Sequence, residues 1–144
     1  MIEYKSKHIK GYLGRKVMIH ESFLTDILAM EDVLRELGFV FWVTGSFRLN
    51  DQKLQGAIVD PAKRSNHLVA NALDGNLQEI KTGEWFNSKK MGDGTGSDQN
   101  VIERLEKAGL RWGGRFKKND EVHFDSGLNL KNPEKWQEIY NEIQ

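Results

Sequence analysis

The run Phe39 to Phe47, Phe-Val-Phe-Trp-Val-Thr-Gly-Ser-Phe, constrains the chain more than any other segment. It is rich in aromatic and β-branched residues and too short for a stable helix, so it predicts a buried strand. The residues before it have the opposite period. Phe23, Leu24, Ile27, Leu28, Leu34 and Leu37 recur at helical spacing over 22–37, and Gly38 supplies the stop. A helix feeding directly into a buried strand implies a layered domain in which helices cover a sheet.

Further along, Lys53 to Asn66 reads as a loop containing Pro61, and Ala70 to Leu77 as a strand ended near Gly75 and Asn76. Residues 83–98 are rich in Gly, Asp, Ser and Lys and predict a long loop, with 86–97 mobile beside the functional cleft. The segment Gly92-Asp93-Gly94-Thr95-Gly96 lacks the Gly-Lys-Ser/Thr ending and the preceding strand of a phosphate loop. Asp98 is placed to cap a helix through Val101, Ile102, Leu105 and Ala108, stopped by Gly109. A short strand follows around Val122 to Asp125, and Pro133 opens a terminal helix over about 133–143. The fold class expected is α+β, a small, mainly antiparallel sheet flanked by helices, in one domain over 1–144.

The 144 residues suit one core, and 38% hydrophobic and 29% charged residues describe a globular chain. Twenty-one basic side chains balance twenty-one acidic ones, so no global field favours nucleic acid or an anionic membrane. Locally the balance fails: residues 1–20 hold five Lys/Arg against one Glu, and Arg111 to Lys118 holds four and no acid. Such patches are ordinary solvated surface or a weak attraction to an acidic polymer such as a cell wall. No apolar run approaches the roughly 18 residues of a membrane span, and no signal-peptide core precedes the domain. With no cysteine, disulfide and thiol chemistry are excluded, and any metal must be held by His and carboxylates.

Two polar constellations could do that. In the first, His67 and Asp74 stand seven residues apart, an odd spacing that would send them to opposite faces of one continuous strand. They can meet only if His67 lies in the loop before the strand, where small Ala70 and Ala72 would leave room on Asp74's face. In the second, Asp120-Glu121-Val122-His123-Phe124-Asp125, His123 and Asp125 share a strand face and Asp120 lies in the turn upstream. Each taken alone is more often a solvated polar segment than a site. Arg48, at the end of the apolar strand, is placed for a substrate carboxylate or an oxyanion, or for a surface ion pair. His8 and His20 have no carboxylate pattern around them and are assigned no role.

In this order the pieces resemble the zinc D,D-peptidase family, which includes D-Ala-D-Ala carboxypeptidases and dipeptidases and phage L-alanyl-D-glutamate endolysins. The family motif Ser-x-His-x-x-Gly-x-Ala-x-Asp is matched by Ser65, His67, Ala72 and Asp74, with Ala70 at the glycine position. The downstream motif, a carboxylate and a His three residues later with a following acid, is matched by Asp120, His123 and Asp125. Trp112-Gly113-Gly114 matches the family's Trp-Gly-Gly. Thr44-Gly45-Ser46-Phe47-Arg48 stands where the family has Ser-Gly-Tyr/Phe-Arg, with Gly45 and Ser46 in reversed order. The resemblance spans about residues 22–128.

The resemblance implies a hedgehog/DD-peptidase-like fold and a zinc held by His67, Asp74 and His123. It implies Asp120 as the group that takes a proton from water and hands it to the leaving amine, and Arg48 as the oxyanion partner. Asp125 would orient His123 through its other ring nitrogen, and Arg48, Ser65 and Trp112 would contact substrate. The implied substrate is a peptidoglycan stem peptide, cut at L-Ala-D-Glu or D-Ala-D-Ala, by a monomer of the phage endolysin type. Such an enzyme would be made in the cytoplasm without a signal peptide and would act on the wall. The alternative is a zinc-containing binding or virion module of the same fold; Asp120 argues against it, because a structural zinc needs no base.

Overall fold

A computed structural model describes residues 1–50 and 63–144. The strands are β1 (Ile2–Glu3), β2 (Ile9–Gly11), β3 (Met18–Ile19), β4 (Phe39–Gly45), β5 (Ala72–Glu79), β6 (Trp85–Phe86), β7 (Arg111–Trp112) and β8 (His123–Asp125). The helices are α1 (Leu24–Leu37), α2 (Ser88–Asp93), α3 (Asp98–Lys107), α4 (Leu128–Lys131) and α5 (Pro133–Ile143). Six strands form one sheet in the order β2-β4-β5-β8-β7, with β6 paired to β5; β1 and β3 form a separate ribbon. Every pair in the sheet is antiparallel except β2 with β4. The class is therefore α+β, a mainly antiparallel sheet flanked by helices, as the sequence predicts.

The helix–strand unit at 24–45 is the centre of the core. Ile27, Met30, Val33 and Leu34 are buried along α1, and Gly38 ends the helix with φ 75°, conformation that glycine adopts at little steric cost. Phe39, Val40, Phe41 and Val43 of β4 are buried in turn, and each such side chain contributes about 1.5–3 kcal/mol. Leu28 departs from the sequence reading: it is half exposed, because at that turn the core-facing stripe runs through Ile27 and Met30. Gly75 lets β5 pass close to β4, since a Cβ there would lie 2.3 Å from the Trp42 carbonyl.

Three further expectations need correction. The strand predicted at 70–77 occupies Ala72–Glu79, and Ala70 lies before it in the left-handed region (φ 53°). Ala70 thus shares no strand face with Asp74. Residues 83–98 are not a structureless loop: β6 and α2 lie inside the segment, and Phe86 and Met91 are anchored in the core. Asp98 begins α3 instead of capping it; Ser97 precedes it without a side-chain cap. Most of the loop expected at Lys53–Asn66, Pro61 included, lies outside the described residues.

A second cluster positions the functional face. Trp136, Ile139 and Tyr140 of α5 pack on Leu68 and Val69 of a single 3-10 turn, Asn66–Val69. The Trp136 indole N–H donates to the Ser65 carbonyl at 3.2 Å, tying the C-terminal helix to the residue that opens that turn.

Candidate metal centre

His67 sits on the 3-10 turn and Asp74 on β5, the arrangement that their odd spacing requires. Ser65 caps the turn: its hydroxyl accepts from the His67 amide at 3.2 Å and from Arg48 Nη2 at 3.3 Å. His123 lies opposite Asp74 in the β5–β8 ladder. One ligand atom from each of His67, Asp74 and His123 lies within 4.8 Å of the other two.

The hydrogen bonds around the two imidazoles fix what they can do. His67 Nδ1 donates to the Ser46 carbonyl at 2.6 Å, which leaves Nε2 as a lone pair. That Nε2 is buried without a hydrogen-bond partner, though it stands 3.1 Å from Asp74 Oδ2. On His123 the pattern is mirrored: Nε2 meets Asp125 Oδ2 at 2.6 Å, and Nδ1 turns to Asp74 Oδ1 at 3.1 Å. Asp125 is itself clamped by Arg111, through Nε at 2.9 Å and Nη2 at 2.8 Å, and by the Gly127 amide. An orphaned buried imidazole nitrogen, a second imidazole nitrogen and a carboxylate facing one point are the donor set of an open metal site.

The charges agree with this reading. Burial would raise the Asp74 carboxyl, but the hydrogen bond from His123 and the proximity of the His67 imidazole hold it well below the usual carboxylate range. Asp125 behaves likewise, burial being outweighed by His123 and Arg111. Burial would lower His123, yet its bonds to Asp125 and Asp74 reverse the effect and lift it to about 9. In the metal-free protein a proton bound to His123 therefore offsets the two carboxylates.

A cleft of about 400 Å³ opens over these groups, lined among others by Arg48, Lys63, Arg64 and Asp120. Asp120 is half exposed, with Oδ2 3.9 Å from His123 Nδ1, and burial together with Asp74 raises its pKa. Gly113 makes that placement possible. Its carbonyl accepts from the Asp120 amide at 2.9 Å, and a Cβ on it would lie 2.1 Å from the Asp120 carbonyl. Glu121, the adjacent candidate for the same role, points elsewhere: it accepts from Ser88 at 2.9 Å, beside α2.

Arg48 and Ser65 both line the cleft, Ser65 with its hydroxyl engaged in capping. Trp112 does not. It is 5% exposed, its indole N–H donates to the Glu121 carbonyl, and Arg115 covers its ring, so the expected substrate contact is corrected to a core role. The predicted mobile segment 86–97 is likewise absent from the residues lining the cleft. Sequence reasoning missed Arg111, seen there only as part of a basic run, although it neutralises the Asp125 carboxylate. It also missed Asn129, which receives a hydrogen bond from Arg111 and one from Asn66. Neither has a local signal, since both act across the fold.

Residues 59–126 match the model of a family described as D-alanyl-D-alanine carboxypeptidase. That span contains His67, Asp74, Asp120, His123 and Asp125. No curated protein matches the sequence significantly. Among solved structures the chain is similar to the Serratia marcescens L-Ala D-Glu endopeptidase ChiX, with 17% identity and a TM-score of 0.45 over 74% of this chain and 79% of that one.

Proposed function

We propose that the chain, whose residues 59–126 match the model of a family described as D-alanyl-D-alanine carboxypeptidase, is a zinc-dependent hydrolase of peptidoglycan stem peptides. The observation that carries the metal is the orphaned Nε2 of His67, aimed with His123 Nδ1 and Asp74 at one point. His67, Asp74 and His123 would hold the ion. Two imidazoles and a carboxylate suit zinc with an open position, and when bound it supplies Lewis-acid polarisation and acidifies water.

The side chains around the centre do the remaining work. Asp120 takes a proton from the attacking water on its carboxylate and returns it to the leaving amine nitrogen; its raised pKa brings it nearer the range where both transfers run. Arg48, beyond the end of β4, lines the cleft and can hold an oxyanion or a substrate carboxylate. Asp125 and Arg111 keep the His123 ring in one orientation and tautomer. We further propose an endolysin-type lytic role on the wall, with the chain acting as a monomer.

The test is digestion of purified peptidoglycan with the zinc-loaded chain, followed by mass spectrometry. New L-Ala or D-Glu termini, or free D-Ala, support the reading. No product under conditions where the protein is folded and metal-loaded removes it.

A further inference from the structure

The open face of the sheet continues beyond the metal centre. On β5 side chains alternate, so Asp74, Asn76 and Gln78 share one face while Leu73 and Leu77 enter the core. Trp42 stands opposite Asn76 in β4, and Trp85 opposite Gln78 in β6. The metal-facing carboxylate and an aromatic cluster thus occupy one strip of one surface.

The cluster is ordered but open. Trp85 is 42% exposed and Tyr12 37% exposed, although aromatic side chains of this size are usually covered. Their ring centroids lie 6.3 Å apart edge to face, and Trp85 rests 5.9 Å from Trp42. Trp42 is fixed by its indole N–H donating to Gln78 at 2.9 Å and by the Lys10 ammonium over its ring. The Trp85 indole N–H, the Tyr12 hydroxyl and the Asn76 amide have no hydrogen-bond partner among the described residues.

We propose that this face binds the glycan strand of the cell wall, an N-acetylated hexosamine polymer, and so presents the stem peptide to the metal centre. The inference rests on the peptidase reading for the identity of the polymer. Sugar rings offer C–H faces that pack on aromatic rings, with hydroxyl and acetamido groups around the edge for the indole, phenol and amide. A purely aliphatic partner would bury those polar groups unpaired.

Distance agrees. Trp42 is in register with Asn76, two residues from Asp74, or about 7 Å along the strand. In a stem attached to a sugar, the bond after the first amino acid lies two residue lengths away, again about 7 Å. The terminal bond of the stem lies about five lengths out. A glycan seated on Trp42 and Trp85 therefore places the bond nearest the glycan, L-Ala-D-Glu, over Asp74.

The test is calorimetric titration of the folded chain with an N-acetylglucosamine tetrasaccharide and with peptide-free glycan strands, cellotetraose serving as the control without acetamido groups. Saturable binding of both N-acetylated ligands is expected, with affinity lowered about tenfold or more in Trp85→Ala and in Trp85→Leu, which keeps apolar bulk on β6. His67→Ala should retain glycan binding while losing the metal. No saturable binding, equal binding of cellotetraose, or unchanged affinity in both Trp85 variants overturns the proposal. Glycan binding by a chain that cuts no stem peptide keeps the platform and removes the peptidase reading instead.

Discussion

Asp125 meets His123 Nε2 at 2.6 Å, and this leaves Nδ1 as the ring atom turned toward Asp74. The orientation of a candidate metal-binding imidazole is thereby set by a carboxylate outside the candidate donor set, and Arg111 holds that carboxylate from behind. Asp125→Asn keeps the shape but gives up the charge that Arg111 and His123 share. Zinc affinity should fall about 10–100-fold, read by competition with a chromogenic chelator. His67→Ala and His123→Ala should lose the metal and activity together; full zinc content in both would remove the centre as drawn.

The same bonds set a pH dependence. In the metal-free chain His123 is raised from 6.5 to about 9, so its contribution to stability is complete below 6.5 and is lost as pH rises through about 9. Asp74 and Asp125 are lowered from 3.8, so their contribution is present above that value and is lost as pH falls below it. Thermal melts of the metal-free protein should show maximal stability between these limits. Zinc must displace the His123 proton, so apparent affinity should rise about tenfold per pH unit from 7 towards 9. A flat affinity profile over that interval would contradict the arrangement.

Much of the candidate centre was legible because its residues are tied to short segments with a definite period. His67 and Asp74 had to straddle a loop–strand junction, and the 3-10 turn before β5 provides one. His123 and Asp125 share the β8 face by alternation alone. Arg111 was illegible as a partner, since it depends on β7 pairing with β8. Trp112 misled because its substrate contact was implied by the family resemblance and by no local pattern. In the fold, Gly114 instead lies against its ring and Gly113 carries the Asp120 turn. The segment 83–98 was misread because its glycines end helices and fit tight contacts, while Phe86 and Met91 anchor it singly and without period.

Asp120 and Glu121 separate cleanly in the fold, one lining the cleft and the other bonded to Ser88. Asp120→Asn removes the proton acceptor without changing size. Turnover should fall about 10²–10⁴-fold with zinc content nearly unchanged. Glu121→Gln should retain activity within a few-fold, its amide still able to bond Ser88. Steady-state hydrolysis of a stem peptide by both variants decides the matter; the reverse ranking would reassign the base.

Ala70 offers a test of the fold that leaves the chemistry alone. It stands at the glycine position of the family motif, between the turn carrying His67 and the strand carrying Asp74, and its φ of 53° and ψ of 40° are left-handed. A residue with a Cβ is disfavoured there by about 1–2 kcal/mol. Ala70→Gly relieves that strain but loses a fully buried methyl, about 0.8 kcal/mol, and adds about 0.5–1 kcal/mol of backbone entropy to the unfolded chain. These nearly cancel, so its stability should lie within about 1 kcal/mol of the parent. Ala72→Gly, in extended β5 and equally buried, suffers both losses with no strain to relieve. Urea unfolding should therefore find Ala72→Gly less stable than Ala70→Gly by about 1–2 kcal/mol. Equal midpoints would mean that the backbone at Ala70 is not strained, and that the motif glycine is needed there for some reason other than its dihedral angles.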